Sequence, residues 1–410
     1  MSEKVESLGL PMQTRYYYLD NLRAVALLAG VLLHAGLSFC VITAELLPSA
    51  NAEKSIVFDY WIWLLHTFRM PLFFLIAGFF AHYLVSKKGV KQFLRNRMLR
   101  VALPFVIFWP LLFAAFVGLM FYAATHMNVD TPVINMVKFA MEYPDQMEGK
   151  EPPLSTTHLW FIYYLSIFSL LAALCCLLIK KGERIYDWVV QPWVLLLVLP
   201  VFITGVMTQH SIPHPAPESF IPSLKAIAFY GAFYFVGWVF FVRQNLVDVI
   251  AKFWPYLAVV SLIVALLFCF LLPPNSVPLE QAMAFVGKAP ELTAVHFALS
   301  VSAGVLACYL SFLCLWAAFR FANKNNALLR YLSDGSYWVY IVHLPIVFAL
   351  QYYFHDKDLP LISEFFIISA VTLGTGYLSY ALLVRRTPIG WLLNGRKKKV
   401  RSAVDEDCPQ

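Results

Sequence analysis

Ten stretches of about twenty apolar residues run through this 410-residue chain, and few folds can hold so many. A helix needs about 20 residues to cross roughly 30 Å of hydrocarbon. The runs lie at about 20–43, 57–84, 101–123, 158–179, 189–208, 221–242, 253–272, 294–318, 333–352 and 362–384. What remains cannot clothe a soluble surface: 13% of the residues are charged, against about 25% in a soluble protein. The sequence therefore predicts an all-α, polytopic membrane helix bundle of about ten transmembrane helices. An ordinary cytosolic enzyme and a disordered chain are excluded.

The net charge of +7 does not indicate nucleic acid, because the basic residues flank the apolar runs. The N-terminus and connections 85–100, 180–187, 243–252, 319–331 and 385–410 hold 23 of the 31 Lys and Arg. The connections 44–56, 124–157, 209–220, 273–293 and 353–361 hold five. By the positive-inside rule both termini are expected in the cytoplasm. This divides the chain into a cytoplasmic N-terminal segment, 1–18, a membrane domain, 19–385, and a basic tail, 386–410. The GRKKKVR of the tail is expected to rest on anionic lipid. The N-terminal segment has no apolar core of its own, so the first run is expected to stay as a signal anchor. Connection 124–157 is the natural place for a lid or a substrate-facing surface. Seven cysteines without a CxxC form neither a disulfide framework nor a zinc site.

Ionisable residues inside a bilayer are costly, and each is a functional candidate by default. They crowd into three runs. The first, LDNLRAVALLAGVLLH, carries Asp20, Arg23 and His34. Eleven steps at 100° bring Arg23 and His34 to within about 20° of one face, and Gly30 lies between them with room for a chain to pass. Asp20 and Arg23, one turn apart, can neutralise each other. The second run carries His66 and Arg69, also one turn apart, with Arg69 too deep to reach an interface comfortably. In the ninth, Ser336, Tyr340 and His343 recur at i, i+4 and i+7. Counting from the run ends puts His34, His66 and His343 in one layer near mid-membrane. Each histidine also has a plain reading as a hydrogen-bonded packing residue. His82 reads as interfacial, and His158 either as an acceptor-site contact or as a belt residue beside Trp160. With no carboxylate at that depth, no metal is expected. The basic run KKGVKQFLRNRMLR (87–100) either sets orientation alone or also binds donor phosphates. No P-loop, GxGxxG, GxSxG or HExxH occurs.

Four of these segments, in this order, resemble the membrane-embedded acyltransferases of family 3: LDNLRAVALLAGVLLH, FRMPLFFLIAGFF, KQFLRNRMLRVALP and SYWVYIVHLPI. The likeness runs from about residue 15 to 390. HTFRMPLFFLIAGFF and THLWFIYYLSI are most similar to the members that succinylate osmoregulated periplasmic glucans. The resemblance implies a bacterial inner-membrane enzyme that moves an acyl group from cytoplasmic acyl-CoA to an extracytoplasmic sugar hydroxyl. The donor would be a substrate, succinyl-CoA before acetyl-CoA, with no permanently bound cofactor. A periplasmic glucan or another polysaccharide would be the acceptor, the bilayer and a glucan-synthesis machinery the partners. The resemblance also makes His34, Arg23 and Arg69 the residues needed for activity, and Arg97-Met98-Leu99-Arg100 satisfies the family's Arg-x-x-Arg spacing.

The chemistry then reads as follows. A neutral His34 takes the hydroxyl proton, and Arg69, Tyr340 or His66 faces the oxyanion, with His343 in the same catalytic layer. Asp20, Arg23, Arg97 and Arg100 form the donor side. His158, Ser336 and Lys225 are candidates on the substrate side, Lys225 as a partner for an acyl carboxylate. Direct transfer needs only a base and is preferred over an acyl-histidine. The competing reading is a proton- or solute-coupled transporter with His34 and His343 as relay groups. Such proteins commonly show inverted repeats, and none is visible here. A non-catalytic scaffold would leave the buried charges unexplained.

Overall fold

A computed structural model describes residues 16–49, 51–147, 154–178, 183–211, 216–280, 290–324 and 326–395. Residues 1–15, Lys150, Lys288, Cys408 and the tail beyond Gly395 lie outside it. Helix α1 (Tyr17–Gly36) ends in a 3-10 turn, Leu37–Phe39, so its winding stops earlier than the apolar run that encodes it. The next residues are apolar and buried but not helical: Cys40, Ile42 and Ala44 are at most 7% exposed. Composition alone does not separate a buried loop from a helix.

Helix α2 (Ile56–Arg97) opens at Ser55, whose hydroxyl oxygen accepts from the Val57 amide. It passes through wider π-type winding at Met98–Ala102 into α3 (Leu103–His126). The runs expected at 57–84 and 101–123 thus lie on one winding, Ile56–His126, and the polar stretch between them is helical too. Within α2 the backbone leaves helical angles at Gly89 (φ 77°), a left-handed value that glycine reaches at little cost.

After the short α4 (Pro132–Glu142) come α5 (Trp160–Leu178) and α6 (Leu199–Met207), the latter preceded by π-type winding at Val194–Val198. The run expected at 189–208 is shortened by a turn at Val190–Gln191 ahead of Pro192. Helices α7 (Leu224–Val242), α8 (Leu246–Leu271), α9 (Ala294–Phe321), α10 (Ala327–Phe354) and α11 (Leu361–Ser379) complete the bundle. Ser223, Thr293 and Asn326 cap α7, α9 and α10 through side-chain oxygens that accept backbone N–H groups. Among the described residues eight helices are long and apolar enough to cross a membrane, and Val194–Met207 is a shorter apolar one.

The centre of the bundle is aromatic and dry. Phe74 of α2 is fully buried, with ring centres 4.9 Å from Phe161, 5.2 Å from Phe168 and 4.8 Å from Tyr230. Helices α2 and α7 meet at backbone distance, because a Cβ on Gly78 would overlap the Tyr234 carbonyl and one on Gly237 the Leu75 carbonyl. Small residues permit such approach where packing, not water, holds helices together. The outer surface is apolar: Phe270 is 83% exposed and Leu262 63%. Hydrocarbon is the solvent such a surface fits, and the chain is an integral membrane protein.

Candidate active site

Helices α1 and α10 and the 3-10 turn Thr157–Leu159 ahead of α5 bring three histidines together, with His66 on the neighbouring α2. The ring of His34 lies 5.2 Å from that of His343, tilted by 49°. His158 stands edge-on to His343 at 5.0 Å. His66, on α2, packs edge-on to Trp63 at 5.4 Å. The i, i+4, i+7 pattern of α10 has three separate outcomes. Tyr340 donates its hydroxyl to the His158 carbonyl at 2.5 Å, and His343 Nδ1 lies 2.6 Å from the Tyr340 carbonyl. Ser336 donates to the Ser333 carbonyl of its own helix at 3.0 Å and is fully buried. Among the described residues no group of three His, Cys, Asp or Glu could hold a metal ion.

Arg69 is 7% exposed, so it does not snorkel to a surface. Its Nη1 lies against α1 at Gly30, where a Cβ would overlap it. The glycine on the Arg23–His34 stripe thus makes room for a guanidinium from the neighbouring helix. Gly30 and His34 are one turn apart, which puts the Arg69 head about 6 Å along the axis from the histidine. The Arg69 Nε is buried without a hydrogen-bond partner.

The opposite end of α1 and α2 is basic. Arg23 pairs with Asp20 at 3.7 Å. Arg97 turns its Nε inward, out of reach of solvent. That Nε has no hydrogen-bond partner, and the guanidinium lies 5.7 Å from the Phe93 ring centre. Arg100 does something else. Its guanidinium lies against Gly395, and its carbonyl accepts from the Tyr337 hydroxyl at 3.2 Å. The two arginines of the Arg-x-x-Arg spacing therefore differ, one facing the core and one tying the chain end to the bundle.

A polar loop closes the histidine end. Asp59, fully buried, accepts the N–H groups of Val41 and Ile42 at 2.7 and 3.1 Å. Gln351 accepts from Ser49 at 2.6 Å and donates to the His34 carbonyl at 3.1 Å. Asn51 donates to buried Glu364 at 2.7 Å, and Tyr352 and Thr131 donate to the Pro48 carbonyl. The segment after α1 thus covers the layer and is fastened to α1, α2, α10 and α11.

With the site in view, the comparison with known families decides what kind of protein this is. Residues 16–381 match the family-3 acyltransferase model, described as an acyltransferase domain. The chain belongs to that acyltransferase family. Over 98 residues it is 33% identical to glucans biosynthesis protein C of Escherichia coli strain SMS-3-5 / SECEC, and equally to the same protein of strains K12 and O1:K1 / APEC. That stretch is 24% of this chain and 25% of each relative, so the match spans about a quarter of the length of the curated relatives. No solved structure matches.

Within this acyltransferase, several sequence candidates sit elsewhere than expected. Lys225, at the start of α7, donates to the Gln209 carbonyl at 2.7 Å and is engaged there instead of in the histidine layer. His82, half-buried, stacks on Trp238 at 4.3 Å and its Nδ1 lies 2.9 Å from the Trp238 carbonyl. His158 is 5% exposed and belongs to the layer, not to an aromatic belt. A turn at Thr157 with φ 52°, unusual for a β-branched residue, swings it inward. An antiparallel bridge, Ser155–Ser219, and Thr156 bonds to the Glu218 carbonyl hold that turn. Asp59, Gln351, Tyr230 and Tyr234 were not singled out by sequence. Asp59 is visible as a carboxylate inside an apolar run, which is the signal that could have found it.

Proposed function

We propose that this membrane acyltransferase moves an acyl group, succinyl first among the candidates, from cytoplasmic acyl-CoA to a hydroxyl of a periplasmic glucan. It would do so in the bacterial inner membrane with both termini in the cytoplasm. The charge asymmetry of the connections supports that orientation, with the Arg23–Arg97 end inside. The observation that carries the reading is the placement of Arg69 on Gly30, one turn below His34, between a basic mouth and a covered histidine layer.

Arg97, with Arg23 and Arg100 nearby, is the donor-phosphate end in this reading, since its buried Nε seeks an anion. The thioester carbonyl would lie between Arg69 and His34. Arg69 faces the developing oxyanion as a fixed donor, the role Tyr340 is less free to take because its hydroxyl is engaged with His158. His34 takes the proton of the sugar hydroxyl as its oxygen bonds to the acyl carbon. The carbon–sulfur bond breaks, the thiolate takes the proton from His34, and the thiol leaves toward the basic mouth. The ester leaves past the loop that joins α1 to α2, which must shift to admit a glucan; a glucan-synthesis machinery would supply that acceptor.

Purified protein in detergent, given succinyl-CoA or acetyl-CoA and a periplasmic glucan, should release free thiol and yield acylated glucan by mass spectrometry. Faster release with succinyl-CoA is expected. The absence of acceptor-dependent thiol release with either donor would overturn the reading.

A further inference from the structure

The hydrogen bonds of the histidine layer determine where its protons sit. The atom 2.6 Å from His343 Nδ1 is a backbone carbonyl oxygen, which can only accept, so Nδ1 carries a hydrogen. A neutral His343 then presents its lone pair at Nε2. That atom is buried and has no partner. His158 is arranged in the opposite sense: its Nε2 lies 2.9 Å from the Ile341 carbonyl and is the donor. Its ring is therefore fixed by α10 and turns no N–H from Nε2 toward His343. The ring that faces His343 and is not spoken for is His34. It is partly exposed at the layer, and no hydrogen bond of its ring is recorded among the described residues.

We infer that His343 is the positioning partner of His34, its Nε2 accepting the N–H of one His34 nitrogen so that the other is left as the proton acceptor. This deepens the acyl-transfer reading and rests on it. In hydrolases built on Ser, His and Asp a carboxylate does this work, fixing the tautomer and orientation of the base. Among the described residues, the groups in ring or hydrogen-bond contact with His34, His158 and His343 include no carboxylate. Here an imidazole, made an obligate acceptor by the Tyr340 carbonyl, would take that place; the two rings lie 5.2 Å apart and the bond is not made in this structure, so His34 must turn an N–H onto Nε2 when the substrates bind. In the transfer step the hydroxyl proton goes to the free nitrogen of His34, and the sugar oxygen bonds to the acyl carbon as the thiolate leaves. The imidazolium N–H stays on His343 Nε2, and the thiolate then takes the transferred proton back, so both histidines end as they began.

Two replacements of full-length protein separate this role from packing. In His343→Met the ring is replaced by an apolar chain of similar reach, while in His343→Gln a side-chain oxygen can still accept the same N–H. Thiol release from succinyl-CoA with glucan is the readout. His343→Met should lower kcat about 10–100-fold, the usual cost of losing an orienting partner, with KM for the donor nearly unchanged. His343→Gln should recover most of that loss. Equal activity of the two variants, or wild-type turnover by His343→Met, would overturn the inference. If the methionine variant does not fold, the nitrogen chemical shifts of labelled histidine in the wild-type protein decide instead. The Nδ1–H form of His343 is expected, and the Nε2–H form would overturn the inference. Failure of the broader reading looks different, because wild-type protein itself would then release no thiol from any donor.

Discussion

Where α2 meets α7, Gly78 and Gly237 each lie under a carbonyl of the opposite helix, and the neighbours are uncharged backbone atoms. On the face turned to α1, a guanidinium fills the space above a glycine instead, and its Nε finds no partner. Both faces are buried, yet their energetics have opposite signs. The glycine seam contributes packing, the main source of helix association in a membrane. A buried charge without a counter-ion costs free energy and holds nothing together. The expected outcome is therefore that replacing Arg69 or His34 costs activity before stability, and that crowding the seam does the reverse. Groups that cost stability mark the place where a ligand supplies what the protein does not.

The largest effect expected is from His34. His34→Ala should lower acyl transfer by about 10²–10⁴-fold, the range for a positioned base, with normal insertion and donor binding. His34→Gln should fall as far, since an amide cannot take the proton. Retained activity in either would place the chemistry elsewhere and reduce the layer to packing. Next comes Arg69. Arg69→Lys keeps a charge but loses the planar fork that reaches Gly30; removal of one oxyanion donor typically costs about 10²–10³-fold. A loss of about 10²-fold in kcat is expected, in protein that purifies like wild type. Wild-type turnover would return Arg69 to the same structural class as the seam.

The contrast between the faces of α2 was partly legible in the sequence. Arg23, Gly30 and His34 on one stripe foretold a close approach to α1, and counting from run ends brought His34 beside His343. Other parts depend on long-range contacts that periodicity does not carry. His158 opens an apolar run, as a belt residue would, and its burial follows from a turn held by residues about sixty positions away. The first residues of the loop over the site, Cys40 to Thr43, read as helix because buried loops and helices share an apolar composition; Asp59, which binds the Val41 and Ile42 amides, is the local clue. The Arg97–Arg100 pair had the right spacing, but on π-type winding the two side chains diverge, which a regular helical wheel does not represent.

The seam itself gives the third test. Gly78→Ala places a methyl group against the Tyr234 carbonyl, and one helix must move. Overpacking of this kind costs about 1–3 kcal/mol. The thermal midpoint in detergent should fall, while turnover per folded molecule changes little. A variant that loses turnover before it loses stability would mean that the spacing of α2 and α7 also sets the position of Arg69.

The smallest effect sharpens the contrast from the other side, with an arginine that does have a carboxylate. Arg243 Nε donates to Asp187 at 2.6 Å, with side chains 28% and 60% exposed. This hydrogen bond, helped by the positive charge, holds the Asp187 carboxyl below its usual range. A depressed carboxylate contributes stability above the ordinary value, about 3.9, and loses it as pH falls through the lower folded value. Exposed pairs of this kind contribute little and are screened by salt. Arg243→Met should therefore leave turnover unchanged and lower the midpoint at pH 7 less than Gly78→Ala does. The difference from wild type should shrink in high salt and disappear on acidification through the Asp187 titration. A salt-insensitive drop as large as that of Gly78→Ala would mean that Arg243 supports the bundle through packing, and the division between paired surface charge and unpaired core charge would no longer separate structure from function.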